Sequence, residues 1–159
     1  MELNAAGDSW LLSANFDVPL TRSLDHAVRR GVPMYFVLEF ELIRPRWWWF
    51  DERVAERSIV YRIAYHALTR QFRLGFAGLT QTFESLDEAT RAMANVRGWR
   101  VVDASRVSAG TEYEGRIRLR LDTSQLPKPF QINAITNRDW NPQSEWKTFS
   151  FTPSTPKSA

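Results

Sequence analysis

The sequence predicts a mainly β domain of the α+β class, either an antiparallel sandwich of immunoglobulin-like type or one curved sheet, packed by two short helices. Three observations predict it. Residues 32–50, VPMYFVLEFELIRPRWWWF, form the longest apolar-rich stretch. Within it Phe36, Leu38, Phe40 and Leu42 share one parity, and Tyr35, Val37, Glu39, Glu41 and Ile43 the other. Strand side chains repeat with period two, so this is a central strand with one buried face and one half-wet face. Secondly, most other strand-like segments follow each other across short turns, the order of antiparallel hairpins rather than of a parallel sheet. Thirdly, two stretches carry helical spacing behind a capping residue.

In chain order, Trp10, Leu12, Ala14, Phe16 and Val18 alternate with Leu11, Ser13, Asn15 and Asp17 and predict a half-buried first strand ended by Pro19. Thr21 or Ser23 caps a short helix bearing Leu24, Ala27 and Val28, stopped by Gly31. His26 is read as a surface residue of that helix. After the central strand, a second long strand covers about 58–68, with Ile59, Tyr61, Ile63 and Tyr65 on one face. A turn at Thr69-Arg70 leads to Phe72, Leu74 and Phe76, and Gly78 turns the chain into a short strand at 80–83. Ser85 and Glu88 have capping-box spacing. Leu86, Ala89, Ala92, Met93 and Val96 then give the second helix, which Gly98 ends before a short strand at 99–102. Ile117, Leu119 and Leu121 alternate with Arg116, Arg118 and Arg120 in a strand at about 112–122. Pro127 and Pro129 predict an extended connection, and Phe130, Ile132 and Ala134 a resumed strand. A turn-rich loop at 137–142 precedes the last strand, 146–152, with Phe149 and Phe151 inward. No linker divides the chain, so residues 1–153 read as one domain and 154–159 as a disordered polar tail.

At 159 residues the chain is long enough for a sizeable core, and 43% apolar and 25% charged residues are ordinary for a globular domain. Aromatic residues, with seven Trp and ten Phe, should carry much of that core. A net charge of +3 is weak support for polyanion binding, and no nucleic-acid partner is expected. Without cysteine there is no disulfide, thiolate metal site or Cys nucleophile. His26 and His66 lack ligand-spaced partners, the seven glycines form no phosphate loop, and no metal or cofactor is expected. No apolar run approaches the ~20 residues of a membrane span. Glu2-Leu3-Asn4 after Met1 is no secretory signal, so the chain reads as cytosolic or as a mature form whose leader has been removed.

Candidate functional residues are few. Arg116, Arg118 and Arg120 form a stripe that either binds an anion or acidic partner, or pairs across strands with Glu39 and Glu41; the pairing is preferred. Glu39 and Glu41, ~7 Å apart along one face, could be read as acid and base of a hydrolase, but nothing of nucleophile or ligand type surrounds them. Trp47-Trp48-Trp49-Phe50 is the most unusual feature. Whichever rings fill the core, the alternate pair must face elsewhere. Flanked by Arg44, Arg46 and Arg53, it suits a protein interface or a membrane-surface contact.

Three blocks, RRGVPMYFVLEFELIRPRWWWFDE, YRIAYHALTRQFRL and LRLDTSQLPKPFQINA with NRDWN and a following Trp, resemble a family of exported bacterial proteins classed as a domain of unknown function. The resemblance runs from about Trp10 to Pro153. It implies a periplasmic location with the signal peptide removed, and genes placed beside a nitrogen-regulation-type sensor histidine kinase. It implies no activity and no catalytic residues. The expectation is therefore a non-enzymatic periplasmic interaction or sensing domain, an accessory partner of the kinase's extracytoplasmic part. Trp47, Trp48, Trp49, Phe50, Arg116, Arg118 and Arg120 are its candidate contacts. The alternatives are a binder of small hydrophobic ligands, in a pocket between sheet and helices lined by Phe, Trp and Tyr, and, least, the hydrolase.

Overall fold

The structure, a computed structural model, describes residues 2–16, 21–45, 52–136 and 146–153. Among these the strands are β1 (Glu2–Ala6), β2 (Ser9–Asn15), β3 (Met34–Arg44), β4 (Glu52–His66), β5 (Gln71–Phe76), β6 (Leu79–Phe83), β7 (Asn95–Asp103), β8 (Tyr113–Leu121) and β9 (Lys147–Phe151). The helices are α1 (Arg22–Arg29), α2 (Leu86–Ala94) and α3 (Lys128–Thr136). Two antiparallel sheets result, β1-β2-β7 and β6-β5-β4-β3-β8-β9. The fold is thus the predicted α+β arrangement of antiparallel sheets. Its three-and-six division differs from the four-and-three strands of an immunoglobulin constant domain.

The central position of β3 follows from its alternation. Phe36, Leu38, Phe40 and Leu42 are buried. Register places Leu38 between Ile59 and Leu119, and Phe36 between Tyr61 and Leu121, so apolar side chains form rows across three strands. Such cross-strand rows are the unit of sheet stabilisation. The smaller sheet closes over this face through ring contacts. Trp99 of β7 meets Phe40 edge-on at 6.2 Å between centroids, and Trp10 of β2 meets Phe151 of β9 at 4.8 Å.

The helices cover what the sheets leave open. Thr21 caps α1, its hydroxyl accepting from Leu24 N at 3.3 Å, and Leu24, Ala27 and Val28 are buried. Ser85 caps α2 by accepting from Glu88 N at 3.1 Å. Ser85→Ala is expected to cost about 1 kcal/mol in chemical denaturation, the usual worth of such a cap. The β5–β6 turn has Ala77 and Gly78 at φ 50° and 77°, the two left-handed residues of a type I′ hairpin.

Several expectations are corrected. β1 was not anticipated; its side chains are almost all exposed and so lack the apolar alternation by which strands are recognised. β4 starts at Glu52, six residues before Ser58, because charged residues there pair with the end of β3 across a bulge at Leu42/Ile43. Helix α2 stops at Ala94, and Val96 belongs to β7. There Asn95 and Val96 pair with Asn15 and Ala14, and the sheet wins over helical spacing. Gly98, at φ 60°, is accordingly not a helix stop. Leu12 pairs with Trp99 and Ala14 with Val96, so β7 carries one extra residue, and Gly98 supplies the left-handed conformation of that bulge.

The largest correction lies after β8. Instead of an extended connection and a strand, residues 123–125 form a 3-10 turn and Phe130, Ile132 and Ala134 lie on the third helix, α3. Asp122 caps the turn by accepting from Ser124 N at 3.1 Å. Pro129 sits in the first turn of α3, where an N–H has no intrahelical acceptor to lose. The expected strand end at Val18-Pro19, the loop at 137–142 and the tail at 154–159 lie outside the described residues.

Candidate functional site

Of the predicted contact residues, Trp47, Trp48, Trp49 and Phe50 lie outside the described residues. Arg116, Arg118 and Arg120 stand on the outer face of β8, where register sets Arg118 opposite Glu39 and Arg116 opposite Glu41. The cross-strand pairing forms at Glu39 but not at Glu41. Arg118 Nη2 donates to Glu39 Oε2 at 2.9 Å, and Arg120 Nε reaches diagonally to Glu39 Oε1. Arg116 turns to Glu114 at 3.3 Å, and Glu41 takes Arg53 at 3.4 Å. The Arg118 guanidinium also lies 4.4 Å from the Trp146 ring centroid, a cation–π contact. These cations are thus largely engaged within the chain.

The same pairing decides what Glu39 can do. Burial alone would raise its pKa, but hydrogen bonds from Arg120 and Arg118 and their charges outweigh it and hold the carboxyl below its usual range. A carboxylate so held is a weak base, and no general acid near neutrality. Elsewhere, His66 Nδ1 lies 3.0 Å from Thr69 Oγ1 in the β4–β5 turn, a structural role. Among the described residues no cluster of His, Cys, Asp and Glu is placed to hold a metal, and no helix is long and apolar enough to cross a membrane.

An aromatic groove offers more. A cavity of about 350 Å³ lies between the large sheet and the α2–β7 junction. Ile59, Tyr61, Leu74 and Phe76 form one wall, Ala92, Val96 and Trp99 the other, with Gln81, Asn95 and Arg97 as polar groups. Tyr61 and Phe76 pack ring to ring at 5.2 Å, and Phe40 props Trp99 from below. Burial pushes the Tyr61 phenol up, and its hydroxyl has no hydrogen-bond partner among the described residues. Arg97 comes from the β7 bulge, and bulges re-aim side chains in this way. The sequence placed Tyr61, Phe76 and Trp99 on separate strands without joining them. The available signal was Gly98 between strand-like residues, since a glycine inside a strand marks a bulge.

Residues 1–150 match the model of a family described as a domain of unknown function (DUF4390). The chain belongs to this family. No curated protein matches it, and no solved structure does. The family's description carries no activity, so a functional reading rests on the groove, the ion-pair ladder and the charges around them. Of these, the groove combines adequate volume, aromatic walls and a few convergent polar groups, the usual anatomy of a small-molecule site.

Proposed function

We propose that this protein is a non-enzymatic sensing domain of the bacterial cell envelope that takes up a small apolar or aromatic molecule. The observation that carries this is the groove walled by Tyr61, Phe76 and Trp99. Its volume of about 350 Å³ falls near the lower end of small-molecule sites, about 300–1,000 Å³. The walls supply the apolar contact, and Arg97, Asn95, Gln81 and the free Tyr61 hydroxyl supply orientation. Glu39, held ionised by two arginines, favours this over a hydrolase. Export and readout by a neighbouring sensor kinase follow from the family resemblance, and are proposed on that ground alone. In this scheme the loaded domain is what the kinase's extracytoplasmic part recognises.

The test is direct. Protein purified from its native envelope is analysed for retained small molecules by mass spectrometry, and the apo form is titrated with 1-aminoanthracene as an apolar aromatic probe. Saturable binding is expected, weakened about tenfold or more by Trp99→Ala, since removal of one well-packed aromatic wall is worth at least about 1.4 kcal/mol. Phe149→Leu, outside the groove, should leave it unchanged. Absence of retained molecules together with no saturable probe binding, or equal binding by Trp99→Ala, would sink the reading.

A further inference from the structure

A second cavity, of about 380 Å³, lies between α1 and α3 and is lined by Arg22, Ser23, His26, Ala27, Arg30 and Phe130. Among the described residues it shares none with the aromatic groove. We propose that this cleft binds a phosphate group attached to an apolar moiety, the phosphate between Arg22 and Arg30 and the apolar part against Phe130.

Helical geometry sets the charges. Arg22 and His26 stand at i and i+4 of α1, and Arg30, its C-cap, follows at i+8, so the three continue one stripe, ~6 Å apart along the axis. The next stripe holds Asp25 and Arg29, which pair with each other. Leu24, Ala27 and Val28 face the core. The cleft therefore receives this cationic stripe, and among the described residues no acidic side chain lines it. Among the described residues neither Arg22 nor Arg30 forms an ion pair.

Helix stability does not account for this arrangement. Arg22 stands in the first turn, where the helix dipole disfavours a cation. The fork of a guanidinium matches phosphate oxygens in bidentate fashion. Ser23 adds a hydroxyl donor. The opposite wall is fixed rather than loose. Gln131 Nε2 donates to Leu126 O at 2.7 Å and to Ser124 O at 3.1 Å, tying the first turn of α3 beside Phe130 to the preceding 3-10 turn. Two separated guanidiniums facing a held aromatic ring thus offer one end for an anion and one for an apolar group.

Such a ligand could be a phospholipid headgroup with its glycerol and acyl stem, or a soluble organic phosphate, and the experiment separates them. The whole protein is titrated with inorganic phosphate, with phenyl phosphate, and with vesicles of phosphatidylcholine containing phosphatidylglycerol. The Arg22→Gln/Arg30→Gln variant is compared with an Arg100→Gln/Arg106→Gln variant that loses the same charge elsewhere. Phenyl phosphate is expected to bind more tightly than inorganic phosphate, and the first variant alone to lose about tenfold or more. Phe130→Leu should narrow the gap between phenyl and inorganic phosphate. Vesicle binding with the same variant dependence, and none of phenyl phosphate, assigns the site to a lipid headgroup; the reverse assigns it to a soluble phosphate. Absence of binding to all three, equal losses in both double variants, or equal affinity for phenyl and inorganic phosphate overturns the proposal.

Discussion

Gly115→Val is expected to destabilise the protein by about 3 kcal/mol or more, beyond the 1–3 kcal/mol usual for overpacking a core. A Cβ at Gly115 would lie 2.2 Å from Cζ and 2.4 Å from Cε1 of Phe149, closer than any real contact. Gly115 is buried on the inner face of β8 and pairs with Phe149 of β9, whose ring lies across the glycine. The backbone of Gly115 is not left-handed. The penalty therefore comes from the ring and not from backbone strain. Two further measurements separate these causes. In urea denaturation Gly115→Ala should already lose about 1–3 kcal/mol, a fall in Tm of about 2–4 °C per kcal/mol for a domain of this size. Combining Gly115→Val with Phe149→Ala should be less damaging than the sum of the two, with a coupling of about 1 kcal/mol or more. Strict additivity would mean that the ring moves aside at no cost.

That contact also illustrates what the sequence could and could not convey. The alternation of Phe36, Leu38, Phe40 and Leu42 identified the central strand, because period two leaves one face for the core. The cap at Ser85 was legible, and that of α1 was narrowed to Thr21 or Ser23, because a hydroxyl before an apolar pattern satisfies free amide groups locally. Gly115 gave no such signal. Its partner is the ring of a residue 34 positions on, and only strand pairing brings them together. Likewise the pattern of Phe130, Ile132 and Ala134 was too short to separate strand from helix. The end of α2 was decided by β2, a strand 80 residues earlier, through the pair Asn15 and Asn95.

The candidate sites divide in the same way. The match between the Glu39-Glu41 period and the Arg116-Arg118-Arg120 period foretold the ladder on the outer face. The diagonal reach of Arg120 to Glu39 depends on side-chain geometry that a period does not contain. The aromatic groove draws on β4, β5, β6, α2 and β7 together. The phosphate cleft draws on α1 and α3, which lie far apart in the sequence. Sites assembled from several elements carry no local signature, whereas each wall of them does.

Glu39→Gln is expected to cost about 2 kcal/mol near neutral pH, and the loss should depend on pH. Removing one partner of a fully buried ion pair costs about 3–5 kcal/mol; side-chain exposures of 21% for Glu39, 24% for Arg118 and 34% for Arg120 place this group between that limit and a surface pair. The variant would leave two guanidiniums side by side, one of which, Arg118, already has a buried Nε without a partner among the described residues. Arg120→Gln should cost less, because it leaves the neutral pair of Glu39 with Arg118. The pH dependence follows from the lowered pKa of Glu39, set by Arg120 and Arg118 against the opposing effect of burial. A carboxyl more acidic in the folded state contributes its stability above the unfolded-state value and loses it as pH falls through the folded-state value. The difference between wild type and Glu39→Gln, measured by urea denaturation, should therefore be full at pH 7 and shrink below the ordinary value of 4.5. A difference that stays constant from pH 7 down to the acid transition would mean that the charge of Glu39 is not what stabilises the ladder, and an Arg120→Gln loss as large as that of Glu39→Gln would mean that the remaining pair of Glu39 with Arg118 contributes nothing by itself.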